Sequence, residues 1–260
     1  MKEVSVIYMD YNTEEHKKTL VTVETILKNN NVNYSAYNRK DLSKKILNVD
    51  LVIVIGGDGT FLRTSHFVDD QLILGVNSDV KNKEGFLLQC TRLNFETVLL
   101  QWLQDKHDVQ NLIRLKCKIN SKEIDEYALN EIYIGKKKPY QMSRYNIKVL
   151  DKTEDQKSSG ILIGTPHGSN AWIKSAGGEI ITDGFEYIIR EPYDGKLFKH
   201  FVKQGVLNSN EKIIIKSKMN DGIIVLDALS KEYSFKEGDK LIVSVGKSLN
   251  YIKVEDTPKH

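Results

Sequence analysis

Residues 51–60 read Leu-Val-Ile-Val-Ile-Gly-Gly-Asp-Gly-Thr, and no other stretch restricts the fold as tightly. Five consecutive apolar residues without polar alternation describe a strand buried on both faces, the environment of a parallel sheet covered by helices. The glycines directly after it predict a turn that lets the backbone approach a bulky anion. A helical pattern then runs to about Val68, and its N-terminus offers free N–H groups. Open α/β sheets bind their ligands at the carboxyl ends of such strands.

The surrounding residues repeat this rhythm. Val4 to Met9 is a short apolar run of strand length. Thr13 offers an N-cap, Glu14 and Glu15 fall in the first turn, and Leu20, Val23 and Leu27 share one helical face. Three asparagines, 29–31, end that helix, and residues 32–37 read as a second strand. Residues 41–48 predict a short amphipathic helix, Leu72 to Val76 another buried strand, and Asn94 a cap for an amphipathic helix from Phe95. Strand and helix in alternation define an open, mainly parallel α/β domain over residues 1–110. From about residue 111 strand signals follow one another across short turns, with a single helical interruption near 169–176. This predicts a β-rich, mainly antiparallel, sandwich-like domain over 111–245. The last segment, about 245–260, is expected to return as a strand onto the first domain.

Composition removes several classes. The chain has 260 residues, with 38 Lys and Arg against 35 Asp and Glu. A net charge of +3 is no footprint for nucleic acid, whose binders concentrate positive charge on one face. No run of about 18 apolar residues exists to span a membrane, and the first ten residues lack the features of a signal peptide. Cys90 and Cys117 are too few for a disulfide scaffold and are expected as buried free thiols in a reducing, cytoplasmic setting. No His-Glu-x-x-His pair occurs, so no metal site built from dedicated protein ligands is expected.

Three segments carry chemistry. In Gly56-Gly57-Asp58-Gly59-Thr60 the dinucleotide fingerprint fails, because Leu62 occupies the third glycine position. The Walker pattern also fails at Gly246-Lys247-Ser248, because Leu241 stands where a glycine is required. An aspartate between glycines would repel a phosphate it merely lined. It suits a general base or a carboxylate organising Mg²⁺ beside the phosphates, and its structural alternative is a helix cap. The second segment runs from Ser158 to Gly178 and is dense in glycines and hydroxyls, as suits a surface under a nucleotide. Within it Trp172 either stacks on a base or fills the core, and Lys174 is either a phosphate partner or a solvated charge. In the third, Asn130 and Glu131 adjoin in a strand-like run and so point to opposite faces, which leaves one free to meet a ligand. The basic run 136–138 reads as a solvated loop.

These residues, in this order and over almost the whole chain, resemble the NAD kinases. The GGDGT loop, the Asn130-Glu131 pair and the stretch from Thr165 to Gly178 carry the resemblance. The segments QKSSG, GVNSD, SRYNIKV and REP look most similar to the mitochondrial-type NAD kinases and plant NADH kinases. The resemblance implies an α/β domain followed by a β-rich domain, with the active site between them. It also implies transfer of the γ-phosphate of ATP, or of phosphate from polyphosphate, to the 2′-hydroxyl of the adenosine ribose of NAD or NADH. Mg²⁺ or another divalent cation would accompany ATP, and the enzyme would be a homodimer or homotetramer that binds neither nucleic acid nor membrane.

Carried onto this chain, Asp58 becomes the catalytic base, and Gly56, Gly57, Gly59 and Thr60 the phosphate loop. Arg63 is a candidate to face phosphate, and Asn130 and Glu131 would hold ribose hydroxyls or the nicotinamide end. Ser159, His167, Asn170, Ala171, Trp172, Lys174 and Ser175 complete the dinucleotide set. Ser159 stands where most bacterial members have aspartate, and Trp172 where many have tyrosine; both substitutions recur in the mitochondrial-type and plant branch. A lipid kinase sharing the glycine–aspartate loop and a catalytically degenerate NAD(P)-binding sensor are the alternatives. Retention of Asp58, Asn130 and Glu131 opposes the sensor, and the lack of a Trp-, Phe- and Lys-rich amphipathic helix opposes the lipid kinase.

Overall fold

The computed structural model describes residues 2–10, 13–196 and 199–254. It contains two compact units, one built from the chain up to Leu112 together with the segment from Leu249, the other from Ile113–Ser248.

The first unit holds strands β1 (Glu3–Tyr8), β2 (Asn33–Asn38), β3 (Leu51–Gly56), β4 (Leu72–Asn77), the short β5 (Cys90–Thr91) and β6 (Asp108–Leu112). The last strand among the described residues, β19 (Leu249–Lys253), inserts between β4 and β6, giving the order β2-β1-β3-β4-β19-β6 with β5 beside β4. All pairings are parallel except that of β19 with β6. Residues 255–260, the rest of the predicted returning segment, lie outside the described residues.

Every residue of β3 is buried, because the sheet is covered on both faces. Leu51, Ile53 and Ile55 pack with Leu20, Val23 and Leu27 of helix α1 (Glu14–Asn29) and with Phe95, Val98 and Leu99 of α3 (Phe95–Leu103). The alternate residues Val52 and Val54 are equally buried on the opposite face. Between the two long helices, α2 (Asp58–Ser65) follows β3 after one residue. Thr13 caps α1 as predicted, accepting from the backbone N–H of His16 at 3.4 Å.

Two local readings change. Residues 41–48 form no helix. An eight-residue segment has little helical stability of its own, and tertiary ties hold it irregular instead: the Ile46 N–H donates to the Phe67 carbonyl at 2.8 Å, and Lys45 pairs with Asp69 at 3.0 Å. Asn94 occupies the N-cap position of α3 but makes no side-chain cap bond. Its Oδ1 turns back to accept from the Thr91 N–H at 2.7 Å and the Thr91 hydroxyl at 3.1 Å.

The second unit is a pair of six-stranded antiparallel sheets. Its strands are β7 (Leu115–Ile119), β8 (Lys122–Glu123), β9 (Glu131–Lys136), β10 (Ser143–Val149), β11 (Lys152–Ser158), β12 (Gly160–Gly164), β13 (Phe185–Arg190), β14 (Gln204–Leu207), β15 (Lys212–Ser217), β16 (Gly222–Leu226), β17 (Glu232–Phe235) and β18 (Lys240–Val245). One sheet runs β11-β10-β15-β18-β7-β8 and the other β14-β13-β12-β9-β16-β17. Tyr145, Ile147, Ile213 and Val243 of the first sheet and Ile132, Ile134, Ile161 and Ile224 of the second belong to one buried cluster, the core of a sandwich. The helical interruption is a 3₁₀ turn (Gly168–Asn170) and the four-residue α4 (Trp172–Ser175). Lys136 ends β9 and pairs with Asp221, while Lys137 pairs with Glu232 at 2.7 Å, so the basic run starts within the sheet. Cys90 and Cys117 are free and buried. Among the described residues no helix is long and apolar enough to cross a membrane.

Candidate active site

In the first unit β1 is flanked by β2 on one side and β3 on the other, so the direction of strand addition reverses there. Such a reversal opens a crevice at the carboxyl ends of the strands. A cavity of about 360 Å³ lies at this edge, lined by residues that follow the ends of β1 to β4. Met9 comes from β1, Arg39 from β2, Gly57 to Thr60 from β3, and Lys83 and Glu84 from the loop after β4.

The glycine loop is built to be thin. Gly57 is the N-cap of α2 in extended conformation, and its carbonyl accepts from the N–H groups of Thr60 at 2.8 Å and Phe61 at 3.2 Å. A Cβ at Gly57 would sit 2.9 Å from Cδ of Lys83, so a side chain there would push the lysine away. Asp58 begins the helix half-buried. Its Oδ1 accepts from the Leu87 N–H at 2.8 Å and its Oδ2 from the Phe86 N–H at 3.3 Å, so the carboxylate is pinned from the far side. Thr60 Oγ1 accepts from Arg39 Nη1 at 3.0 Å. Arg63 does not line the cavity: its Nε donates to the Arg39 carbonyl at 3.0 Å. Arg39, not Arg63, lines this cavity.

In the second unit a buried carboxylate organises the candidate dinucleotide residues. Asp227, which follows β16 with φ +53, accepts from the backbone N–H groups of Leu129 at 2.9 Å, Asn130 at 2.7 Å and Glu131 at 3.2 Å. Strand β9 starts only at Glu131, and Leu129 and Asn130 form a bend before it, so strict alternation of faces does not extend to Asn130. Thr165 closes the other side, its hydroxyl donating to the Leu129 carbonyl at 2.5 Å and its N–H to the Asn130 carbonyl at 2.9 Å. Gly168 presses on the same bend so closely that a Cβ there would lie 2.0 Å from the Asn130 oxygen. Glu131 is only 4% exposed, and its Oε2 has no partner among the described residues. Burial, and after it the charge of Asp227, pushes its carboxyl up to about 8.

The remaining candidates lie on the turn that follows β12. His167 is half-buried, and burial holds its imidazole below the ordinary histidine range. Asn170, Lys174 and Ser175 are exposed, and the Ala171 carbonyl accepts from the Ser175 hydroxyl at 3.4 Å. Trp172 is half-buried; Tyr133 stacks on it with ring centroids 5.6 Å apart, and the Arg190 guanidinium lies 5.3 Å from its ring. Ser159 is tied in by its carbonyl, which accepts from the Tyr133 hydroxyl at 3.1 Å. Among the described residues no three His, Cys, Asp or Glu side chains converge as a ligand set for a metal ion.

Arg39, Lys83, Asp227, Thr165 and Tyr133 were not among the sequence candidates. One signal could have found two of them, since Arg39 and Asp227 directly follow strands at β2 and β16.

A pinned carboxylate on a glycine turn, at the carboxyl edge of a parallel sheet and beside two cations, defines a phosphotransferase type of site. Comparison with known proteins makes the class specific. Residues 1–107 match the model of the ATP-NAD kinase N-terminal domain and residues 129–254 that of the ATP-NAD kinase C-terminal domain. The chain is 30% identical to the NADH kinase of Arabidopsis thaliana over 91% of its own length and 83% of that protein. It is also 30% identical to the protein named "Probable NADH kinase" of Oryza sativa subsp. japonica, over 91% of its length and 81% of the relative. Among solved structures, an NAD kinase from Archaeoglobus fulgidus in complex with ATP superposes with a TM-score of 0.77 at 25% identity, covering 97% of this chain and 94% of that one. Yeast NADH kinase complexed with NADH shares the fold, with a TM-score of 0.82 at 16% identity over 98% and 84% of the two chains. The chain belongs to the NAD kinase family, and it is an ATP-dependent phosphotransferase acting on NAD or NADH. The lipid-kinase alternative falls with that membership.

Proposed function

We propose that Asp58 is the general base of an NAD(H) kinase that phosphorylates the 2′-hydroxyl of the adenosine ribose. The observation that carries this reading is the Asp58 carboxylate itself, pinned by two backbone N–H groups at the wall of the cavity that Arg39 and Lys83 also line. A ribose hydroxyl is a poor nucleophile at neutral pH. In the proposed step its proton passes to Asp58 while the oxygen bonds to the γ-phosphorus. The bond from that phosphorus to the bridging oxygen breaks, and ADP leaves with the electron pair. The phosphate loop of Gly56, Gly57, Gly59 and Thr60 lets the donor approach closely. With polyphosphate as donor the leaving group is the shortened chain.

The divalent cation enters as part of the MgATP substrate and spreads the charge of the transferred group. For the acceptor, Asn130 and Glu131 take ribose hydroxyls or the nicotinamide end, a role that fits the partnerless Oε2 of Glu131. Ser159, His167, Asn170, Ala171, Trp172, Lys174 and Ser175 line its base subsites. The same reading makes the enzyme a cytoplasmic homodimer or homotetramer. Two free, buried thiols suit a reducing compartment, and the exposed apolar Phe201 and Val206, beside and within edge strand β14, suit self-association.

The test is Asp58→Asn, assayed for NADP formation from NAD and MgATP. Loss of the base is expected to lower kcat by about 10²–10⁴-fold, with NAD binding and the thermal melt retained. Near-normal turnover in this variant would overturn the base assignment.

A further inference from the structure

The cavity beside Asp58 holds two cations, Arg39 and Lys83, with the carboxylates of Asp58 and Glu84 on the same lining. Lys83 is half-buried; its Nζ lies 3.2 Å from the Met9 sulfur and 2.5 Å from Nε2 of His16. Among the described residues neither Lys83 nor Arg39 forms an ion pair with a carboxylate. Asp79 is buried and its charge acts on Lys83, but both of its oxygens accept from the Asn82 amide, at 3.1 and 3.0 Å. Asp58 is engaged by Phe86 and Leu87, and Glu84 stands exposed at the rim. Burying an ammonium without a paired carboxylate costs free energy, and burial outweighs the attraction of Asp79 and Asp58 in lowering the Lys83 pKa. A cation retained at such a cost beside a glycine loop calls for an anion from outside.

Lys83 is also aimed. An ammonium only donates, so Nε2 of His16 accepts, and the ring proton then resides on Nδ1. Nδ1 lies 2.5 Å from Thr13 Oγ1, which accepts it. The chain Thr13–His16–Lys83 therefore needs a neutral imidazole. Burial, and after it the Lys83 charge, keeps His16 below the ordinary histidine range. His16 itself is 4% exposed and fixed in the first turns of α1. Arg39 is anchored just as firmly: its N–H donates to the Tyr8 carbonyl at 2.8 Å, its carbonyl accepts from Arg63, and its guanidinium meets Thr60.

We propose that Lys83 and Arg39 form a clamp for the phosphate chain of the donor over the Gly57–Thr60 loop, and that His16 is the positioning residue that holds Lys83 in place. The proposal rests on the reading of this cavity as the phosphoryl-transfer site and adds the groups that select a polyanionic donor. Charge-assisted contacts to phosphate oxygens supply affinity, and two fixed cations on one wall orient the terminal phosphorus toward Asp58.

The full-length protein tests this through initial rates of NADP formation, with MgATP and NAD varied separately. Lys83→Met is expected to raise KM for MgATP by about tenfold or more, with KM for NAD unchanged and the melt intact. Lys83→Arg should recover most of the loss. His16→Leu should raise the same KM by a smaller factor, and His16→Gln, which retains an acceptor, should restore it. Inorganic tripolyphosphate is the second probe. It should compete with MgATP in the unmodified protein, and Lys83→Met should weaken that competition by a similar factor. An unchanged KM for MgATP in both Lys83→Met and Arg39→Met overturns the clamp. So does unaltered tripolyphosphate inhibition alongside a raised KM, since Lys83 would then be sensing the adenosine. If the unmodified protein forms no NADP, the parent reading fails instead. Calorimetric binding of tripolyphosphate to Lys83→Met against the unmodified chain still decides the clamp.

Discussion

Glu131 is the side chain whose position is hardest to justify by folding alone. Its carboxyl is buried, one oxygen finds no partner among the described residues, and Asp227 adds a like charge nearby. Each of these disfavours the ionised form, which is why the carboxyl titrates at about 8 against the usual 4.5. The linkage has a definite sign. A raised native pKa means that the folded protein keeps a proton that the unfolded chain releases between pH 4.5 and about 8. The contribution to stability is therefore complete below pH 4.5, declines as pH climbs, and is lost above about 8. One proton limits the slope to about 1.4 kcal/mol per pH unit. Glu131→Gln keeps the shape and removes the titration. Urea midpoints of the ligand-free protein should fall less between pH 5 and 8 in this variant than in the parent. Parallel pH profiles for the two proteins would show that Glu131 is solvated and that its burial is not the cause. At this same scale Trp172 departs from the choice the sequence posed. Its ring, on α4, packs against Tyr133 of β9 and Arg190 of β13 while staying half-buried, so it is neither wholly core nor a bare platform.

Single elements explain what holds Asn130 and Glu131 where they are. The bend at Leu129 and Asn130 has no strand partner of its own, and the carboxylate of Asp227 takes the place of a ladder by accepting three consecutive N–H groups. Asp227→Asn leaves one acceptor and introduces an amide that faces donors. A loss of about 1.5–3 kcal/mol is expected from the weakened charged hydrogen bonds, read as a lower urea midpoint. KM for NAD should rise more than KM for MgATP, since the bend belongs to the acceptor's residues. Equal changes in both would reduce Asp227 to a general structural role. The contrast with β3 and its loop shows what a sequence can disclose. Five buried apolar residues, three glycines and a helix start lie consecutively, and each local preference agrees with its neighbour. Arg39, Lys83 and Asp227 were hidden because strand order brings them to their sites: two follow separate strands of one sheet, and the third follows a strand that pairs with β9 across 86 to 94 residues. The segment 41–48 misled for the opposite reason. Its amphipathic pattern was real, but bonds to Phe67 and Asp69 outweighed a helix too short to stabilise itself.

At the scale of the molecule the chain path is asymmetric, and the asymmetry has consequences for folding. The sandwich of Ile113–Ser248 is one continuous segment with its own core spanning both sheets. The α/β unit is completed only by β19, which lies between β4 and β6. Its residues Leu249, Tyr251 and Ile252 are buried, and Tyr251 meets Phe61 of α2 edge-on at 5.9 Å between ring centroids. Without β19, β6 loses the partner it pairs with from Asp108 to Leu112, and β4 loses its partner at Leu72 and Ile73, keeping only the short β5 beyond β3. A fragment of residues 113–248 should therefore fold alone, with a β-type circular dichroism spectrum and a cooperative melt. Residues 1–112 alone should aggregate, and adding the segment 249–254 through a short Gly/Ser linker after Leu112 should recover soluble, cooperatively unfolding protein. A linker rather than direct fusion is required because β19 runs antiparallel to β6, which demands a hairpin between them. If residues 1–112 fold cooperatively without that strand, β19 is an accessory strand and not the keystone its interior position implies.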